Sequence, residues 1–301
     1  MKAAAINEDV SSAEISQRRI GSDFAQLVKA RLTLLVLLTT AVGFYLAADS
    51  PINYIALFHA VFGTALAAAS AAALNQWWER RADALMERTK SRPIPAGRMR
   101  ARNAFIIGVV LAAAGIIYLA ISCNALAAFL AALTIVLYIF AYTPLKKIST
   151  SNTLVGGIAG AIPPMIGWAA ARGELDAGAW SLFAILFFWQ MPHFFALAWM
   201  YRADYARAGF EMISSDDESG ARSSSQSVLF CLLLLIVASV PAYIGVTNIW
   251  FVPISLLLGA LFMIAAMHFH KHRTARAALW LFMTSITYLP LLLLAAVLTK
   301  A

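Results

Sequence analysis

Three oxygen-bearing side chains, Asn75, Glu79 and Asp83, follow one another at four-residue intervals near the end of an apolar segment. On an α-helix this spacing places them on one stripe about 12 Å long. An amide and two carboxylates on such a stripe suit a hard cation such as Mg²⁺, which fills its remaining positions with water and phosphate oxygens. Ion pairs between Glu and Arg on a solvated helix end would explain the same spacing. Asn75 favours a metal site, because a polar group inside an apolar run is a functional candidate.

Basic side chains surround this stripe in the sequence: Arg80, Arg81, Arg88, Lys90 and Arg92. Cations beside a carboxylate-held metal neutralise a polyphosphate. The combination predicts a diphosphate ester as substrate.

A second polar segment contains Asp204, followed by Asp216, Asp217 and Glu218 in the Ser-rich run SSDDESGARSSSQS. Asp204 could face the stripe across a cavity, whereas the later acidic cluster is typical of a flexible, solvated segment.

His193 lies inside an apolar run after Pro192. An intramembrane histidine is either a hydrogen-bonded packing residue or a ligand, and the residues alone favour packing.

The elements that must position these residues are membrane helices. Charged residues make up only 13% of the chain and apolar residues 61%, with a mean hydropathy of +0.76, far from the balance of a soluble domain. Runs long enough to cross a bilayer, about 20 residues each, fall near 32–48, 53–75, 104–121, 125–142, 153–171, 178–200, 227–246, 250–268 and 277–299. The sequence therefore predicts an all-α polytopic membrane protein with about nine spans.

Basic residues mark the side of the membrane on which each connection lies. All of the 23 Lys and Arg residues except Arg172 and Lys300 fall on alternate connections, on the same side as the N-terminal segment. Because cytoplasmic loops retain Lys and Arg, we expect a cytoplasmic N-terminal tail at 1–24. A single transmembrane domain follows at 25–301, with long cytoplasmic loops at 76–103 and 201–226. Topology explains the net charge of +8, so nucleic-acid binding is not expected.

Four segments resemble the UbiA superfamily of intramembrane prenyltransferases, and most closely its haem-modifying members. They are NQWWERRADALMERTKSRPIPAG at 75–97, YTPLKKISTSNTLVGGIAGAIPPMIGWAAARG at 142–173, WQMPHFFALAW at 189–199 and DYARAGFEM at 204–212. The resemblance covers nearly the whole chain. The acidic motif identifies only the superfamily, but R-T-x-x-R-P, G-A-I-P-P-x-I-G-W and W-Q-x-P-H-F are much narrower.

The resemblance implies a helical bundle around a central cavity, and transfer of a farnesyl group from farnesyl diphosphate to the 2-vinyl group of haem B, giving haem O. It implies that Mg²⁺ and the diphosphate are held by Asn75, Glu79 and Asp83, with Asp204 as a second acidic site. It also assigns diphosphate contacts to Lys29, Arg88, Arg92, Tyr142 and Lys146, and makes His193 a candidate haem contact. Ala208 stands where most of the superfamily has a second Asp, which implies a reduced second metal site.

Two other functions remain open at this stage. A prenyltransferase acting on a quinone-ring or chlorophyllide acceptor would share the metal stripe but not the P-H-F segment. A transporter would explain many helices with buried polar groups, but not a carboxylate stripe surrounded by arginines. A bacterial inner membrane is the expected location, and haem A synthase or terminal oxidase assembly are possible partners.

Overall fold

Residues 21–301 are described by the computed structural model, and most of them are helical. In this range nine helices are long and apolar enough to cross a membrane, which confirms the predicted all-α membrane fold. They are α1 Ala30–Ala47, α2 Tyr54–Asp83, α3 Ala101–Ser122, α4 Ala125–Leu145, α5 Asn152–Arg172, α6 Ala177–Met200, α7 Ala221–Tyr243, α8 Phe251–His272 and α9 Ala275–Leu298. The predicted N-terminal tail falls largely on residues 1–20, outside the described residues.

Two helices extend further than their apolar runs predict. Helix α2 continues beyond position 75 to Asp83, and α7 begins at Ala221 instead of near 227. In both cases the extra turns carry polar residues, so hydropathy alone misses them although the backbone remains helical. The extension of α2 places the whole Asn75–Asp83 stripe on one continuous helix.

Consecutive helices pack side by side, and α9 closes the arrangement by contacting both α6 and α1. Helix α1 packs closely on α5 through glycines. A Cβ added at Gly43 would meet the backbone of Pro164, and one added at Gly167 would meet the backbone of Thr40. Small residues at such crossings let membrane helices approach closely. Helices α5 and α6 are consequently more buried than the other spans.

Short polar side chains begin several of the helices. Asn53 accepts hydrogen bonds from the N–H groups at the start of α2 at 3.1 and 3.0 Å. Asn124, Asp176 and Thr274 cap α4, α6 and α9 in the same way. These caps satisfy N–H groups that lack partners at a helix end.

Two helices of the bundle are interrupted. Helix α5 is broken at Ile162, before Pro163 and Pro164, because proline cannot donate to the preceding turn. Helix α4 widens into a π-helical stretch over Leu137–Tyr142. Such stretches are frequent at functional sites, and this one carries two tyrosines that face the stripe.

Candidate active site

A cavity of about 130 Å³ lies at the polar end of α2, and all three stripe residues line it. Asn75, Glu79 and Asp83 are buried, with 1%, 7% and 0% of their surface exposed. The solvated ion-pair explanation for their spacing is therefore wrong, because that explanation requires exposed side chains. Their i, i+4, i+8 positions on α2 direct them into one space.

The two carboxylates of the stripe are each paired with a basic side chain. Arg92 donates from Nη1 to both Asp83 oxygens, at 2.9 and 2.7 Å. Lys146, from the end of α4, donates from Nζ to Glu79 Oε1 at 2.7 Å. Both cations also line the cavity. Carboxylates and cations thus alternate around one small space, as binding of a metal–diphosphate requires.

The amide of the stripe has a similar environment. Lys29 Nζ donates to Asn75 Oδ1 at 2.8 Å, and the amide nitrogen of Asn75 donates to Thr143 Oγ1 at 3.2 Å. These bonds fix which end of the amide faces the cavity. Its oxygen points towards the cations and is available as a hard ligand.

The pKa values of the two lysines move in opposite directions. Burial and the neighbouring charges of Arg92 and Lys146 together lower the pKa of Lys29 to about 7, against the opposing effect of Glu79 and Asp83. Burial also acts to lower the pKa of Lys146, but the Glu79 carboxylate outweighs it and holds this pKa above its ordinary value. Lys146 is therefore a permanent cation, whereas the charge of Lys29 depends on what occupies the cavity.

Aromatic side chains complete the cavity wall. Tyr138 and Tyr142, both on the π-helical stretch of α4, line it with ring centroids 5.2 Å apart. The ring of Tyr142 lies 4.5 Å from Lys146 Nζ. A Cβ at Gly156 of α5 would collide with the Tyr142 ring, so a glycine at that position allows the tyrosine to reach the site.

The loop after α6 closes the cavity from the other side. Phe210 and Met212 line it, and the segment Phe210–Ile213, which we call the strap, is fixed by hydrogen bonds at its centre. Glu211 N donates to Lys146 O at 2.6 Å, and Asn152 donates to Glu211 O at 2.6 Å. The sequence does not reveal the strap's role, since these contacts join residues distant in the chain.

Asp204 lies close to the cavity but is not among the residues that line it. It is buried on the short helix Arg202–Arg207 and pairs with Arg207. It also accepts from the backbone N–H of Arg88 at 3.4 Å. The Arg88 guanidinium lines the cavity and lies over the rings of Tyr201 and Tyr205. The two long loops thus meet at Arg88 and Asp204, and metal binding by Asp204 stays a prediction.

Part of the second loop is ordered where a flexible segment is predicted. Asp217 is buried and accepts hydrogen bonds from the N–H groups of Arg222 at 3.2 Å and Ser223 at 2.7 Å, which caps α7. Burial acts to raise the pKa of Asp217, but these hydrogen bonds outweigh it and lower the pKa. Ser214, Ser223, Ser224 and Ser227 are also buried. The prediction of a solvated segment is wrong for these residues and holds for the exposed Asp216 and Glu218.

The structure does not bring His193 to the cavity wall. Its Nδ1 lies 2.7 Å from Ser285 Oγ on α9, and its ring is 4.7 Å from that of Phe282. Met191 and Phe195, two residues away on either side, belong instead to the cluster that packs beneath the strap. Two residues are about 200° on a helix, so His193 occupies the opposite face of α6. Its haem contact stays a prediction.

The donor set around the cavity fits a magnesium ion. The stripe offers only hard oxygen donors, and in the described part of the chain no three His, Cys, Asp or Glu side chains converge as a protein-only metal cage. Mg²⁺ requires no such cage, since it usually binds through one or two carboxylates together with substrate phosphates. Asn75, Glu79 and Asp83 are the residues that would hold it.

Comparison with known proteins agrees with this geometry. Residues 36–296 match the UbiA prenyltransferase family, and the chain belongs to that family. The protein is thus an integral membrane prenyltransferase. Among its relatives, the protoheme IX farnesyltransferase of Solibacter usitatus is 40% identical over 90% of this chain and 96% of the relative. That of Opitutus terrae is 43% identical over 93% and 95%.

Solved structures share the fold at much lower identity. A digeranylgeranylglyceryl phosphate synthase superposes with a TM-score of 0.77 at 15% identity, covering 92% of this chain and 97% of that one. A UbiA homolog from Archaeoglobus fulgidus bound to DMAPP and Mg²⁺ superposes with a TM-score of 0.69 at 13% identity, covering 91% and 99%. The bundle is therefore the UbiA fold.

Proposed function

We propose that this protein transfers the farnesyl group of farnesyl diphosphate to the 2-vinyl group of haem B, giving haem O. The observation that carries the proposal is the cavity at the end of α2, where an amide and two carboxylates alternate with Lys29, Arg92 and Lys146. The choice of farnesyl and haem rests on the relatives named protoheme IX farnesyltransferase and on the P-H-F segment around His193.

Binding of the diphosphate requires an exchange of partners. Lys29, Arg92 and Lys146 now contact the stripe, and each lies within reach of a phosphate oxygen placed in the same cavity. As the diphosphate engages the cations, the stripe oxygens become free to hold Mg²⁺. Bound there, Mg²⁺ supplies the charge neutralisation that makes the diphosphate a good leaving group. Arg88 and Tyr142 line the same space and extend the set of donors.

The residues around the cavity then assist cleavage of the allylic C–O bond. Negative charge builds on the departing diphosphate, and cations already in position stabilise it without reorganisation. Met86, Phe210 and Met212 line the cavity and limit the access of water to the early allylic cation. The faces of Tyr138 and Tyr142 stabilise positive charge nearby. The vinyl carbon of haem attacks this cation, and water captures the cation left on the porphyrin side as a hydroxyl group.

An apolar void lies deeper in the bundle than the cavity, and we infer that the prenyl chain extends towards it. Leu32 of α1 lines the cavity, and Val36, one turn further, lines a smaller void of about 20 Å³ among α1, α2, α4 and α5. Thr64 and Ala68 of α2 line the same void. With its diphosphate in the cavity at the membrane surface, the substrate would have its hydrocarbon chain inside the bilayer region.

The orientation of the protein in the membrane, its cellular location and its partners are also part of the proposal. We infer from the distribution of Lys and Arg that the cavity and the N-terminus face the cytoplasm of a bacterium, with the protein in the inner membrane. Asp204 and Arg207 would support the diphosphate site from behind Arg88. Haem A synthase or terminal oxidase assembly would take up the product.

The test is an acceptor panel with the purified protein in lipid nanodiscs. Labelled farnesyl diphosphate and Mg²⁺ are supplied with haem B, 4-hydroxybenzoate or chlorophyllide, and the labelled products are separated. The proposal predicts that haem B becomes labelled and that 4-hydroxybenzoate and chlorophyllide do not. Label entering only 4-hydroxybenzoate or chlorophyllide would refute haem as the acceptor, and no label in any acceptor would favour transport instead.

A further inference from the structure

A second cavity, of about 200 Å³, lies between the start of α7 and the start of α5. Arg222, Gln226 and Phe230 line it from α7, at the same four-residue spacing that defines the stripe of α2. The hydroxyl-bearing residues Thr150 and Ser151 line it from the α5 side. The rim of the cavity is therefore cationic and rich in hydrogen-bonding groups. Further along α7 the wall becomes aromatic at Phe230.

Among the described residues that line this cavity, Arg222 alone carries a formal charge. Over residues 21–301 its guanidinium has no carboxylate within ion-pair distance. The nearby Asp217 carboxylate is engaged by backbone N–H groups instead. An arginine without an acidic partner, beside hydroxyl and amide side chains, is suited to a carboxylate or phosphate ligand.

The second cavity adjoins the reaction cavity across the strap. Phe210 and Met212 face the diphosphate side, whereas the next residue, Ile213, lines the second cavity. Phe195 lines the second cavity too and packs in the same cluster as Met212. These apolar side chains lie between Arg222 and the cavity in which the allylic bond breaks.

We propose that this second cavity binds a propionate carboxylate of the tetrapyrrole acceptor, with Arg222 as the cationic contact. The inference rests on the proposed function, since it identifies how the acceptor of that reaction is held. Haem B carries its two propionates on the edge away from its vinyl groups. Anchoring a propionate at Arg222 therefore directs the vinyl edge over the strap, towards the diphosphate.

The aromatic wall fits the same ligand. Phe195 and Phe230 pack edge to face with centroids 5.8 Å apart, and they offer an apolar surface beside the polar rim. A cavity of about 200 Å³ is below the usual size for a whole ligand. The second cavity therefore holds only the edge of the porphyrin that carries the carboxylates, while the macrocycle displaces the flexible side chain of Met212.

The experiment compares haem B with its propionate dimethyl ester in wild type, Arg222→Gln and Arg222→Lys. For Arg222→Gln we expect the KM for haem B to rise about tenfold, the scale of one charge-assisted hydrogen bond at a partly exposed site. The kcat and the KM for farnesyl diphosphate should stay unchanged, and Arg222→Lys should recover part of the loss. The ester should bind wild type and Arg222→Gln equally weakly. Arg102→Gln, an exposed arginine at the start of α3, is the matched control.

Three results would overturn the proposal. The first is an unchanged KM for haem B in Arg222→Gln, and the second is an equal loss with haem B and the ester. The third is a loss seen only in nanodiscs with anionic lipid, which would assign the cavity to a lipid headgroup. If wild type modifies neither porphyrin, the proposed function fails. In that case, an absorbance titration of haem B and of its ester against wild type and Arg222→Gln still decides whether Arg222 holds a propionate.

Discussion

Replacing Asp83 by Asn tests the stripe with the smallest change of shape. Asp83 is fully buried and accepts two hydrogen bonds from Arg92, at 2.9 and 2.7 Å. The amide keeps the volume but removes the negative charge, and its NH₂ group opposes the guanidinium. The variant therefore loses an anionic oxygen for Mg²⁺ and leaves Arg92 without its partner.

The size of the effect follows from the loss of a buried anionic oxygen. Removing one preorganised electrostatic contact from an active site costs roughly 2.7–4 kcal/mol of transition-state stabilisation. The side chain of Arg92 is 22% exposed, so water compensates part of that cost and places it near the lower end. About 2.7 kcal/mol corresponds to roughly a hundredfold in rate. We expect kcat/KM to fall at least that far and half-saturation by Mg²⁺ to need a higher concentration.

The assay is haem O formation at several Mg²⁺ concentrations, with the product separated by chromatography. Glu87→Gln is the matched control, because Glu87 lies four residues further on, is exposed and pairs with Lys90 at the surface. It should change the rate less than about twofold. A folded Asp83→Asn protein with the Mg²⁺ dependence and rate of wild type would refute the metal assignment.

Three further predictions test other parts of the site and fold. Since the pKa of Lys29 is about 7 and a bound diphosphate favours its charged form, affinity for farnesyl diphosphate should weaken as pH rises above 7. In Lys29→Arg, binding measured across that range should lose this dependence; an identical pH profile would contradict the assignment. Gly167→Ala should lower the thermal midpoint in detergent, because its Cβ meets the Thr40 backbone, and an unchanged midpoint would contradict close α1–α5 packing. If His193 contacts haem, His193→Ala should raise the KM for haem B and Ser285→Ala less so; equal, purely structural losses would favour packing.

The sequence predicts the membrane spans and the stripe because both depend on local patterns. Apolar runs specify the helices, and four-residue spacing places Asn75, Glu79 and Asp83 on one face whatever surrounds them. The basic residues assigned by resemblance also line the cavity, whereas the acidic Asp204 lies behind Arg88.

Tertiary contacts account for what the sequence does not predict. The strap is fixed by Asn152, distant from it in the chain, and the burial of Asp217 follows from its capping of α7. The sequence around Asp217 is polar and predicts exposure. The face of α6 that carries His193 depends in the same way on its packing against α9, which no local pattern specifies.

The most direct test of the proposed reaction is the mass of the porphyrin recovered after incubation. Purified protein in nanodiscs is supplied with haem B and farnesyl diphosphate, once with Mg²⁺ and once with a chelator. We predict a porphyrin heavier by one farnesyl group and one hydroxyl group when Mg²⁺ is present, and unchanged haem B with the chelator. Unchanged haem B in the presence of Mg²⁺ would contradict the proposed activity, and full conversion with the chelator would contradict the role given to the stripe.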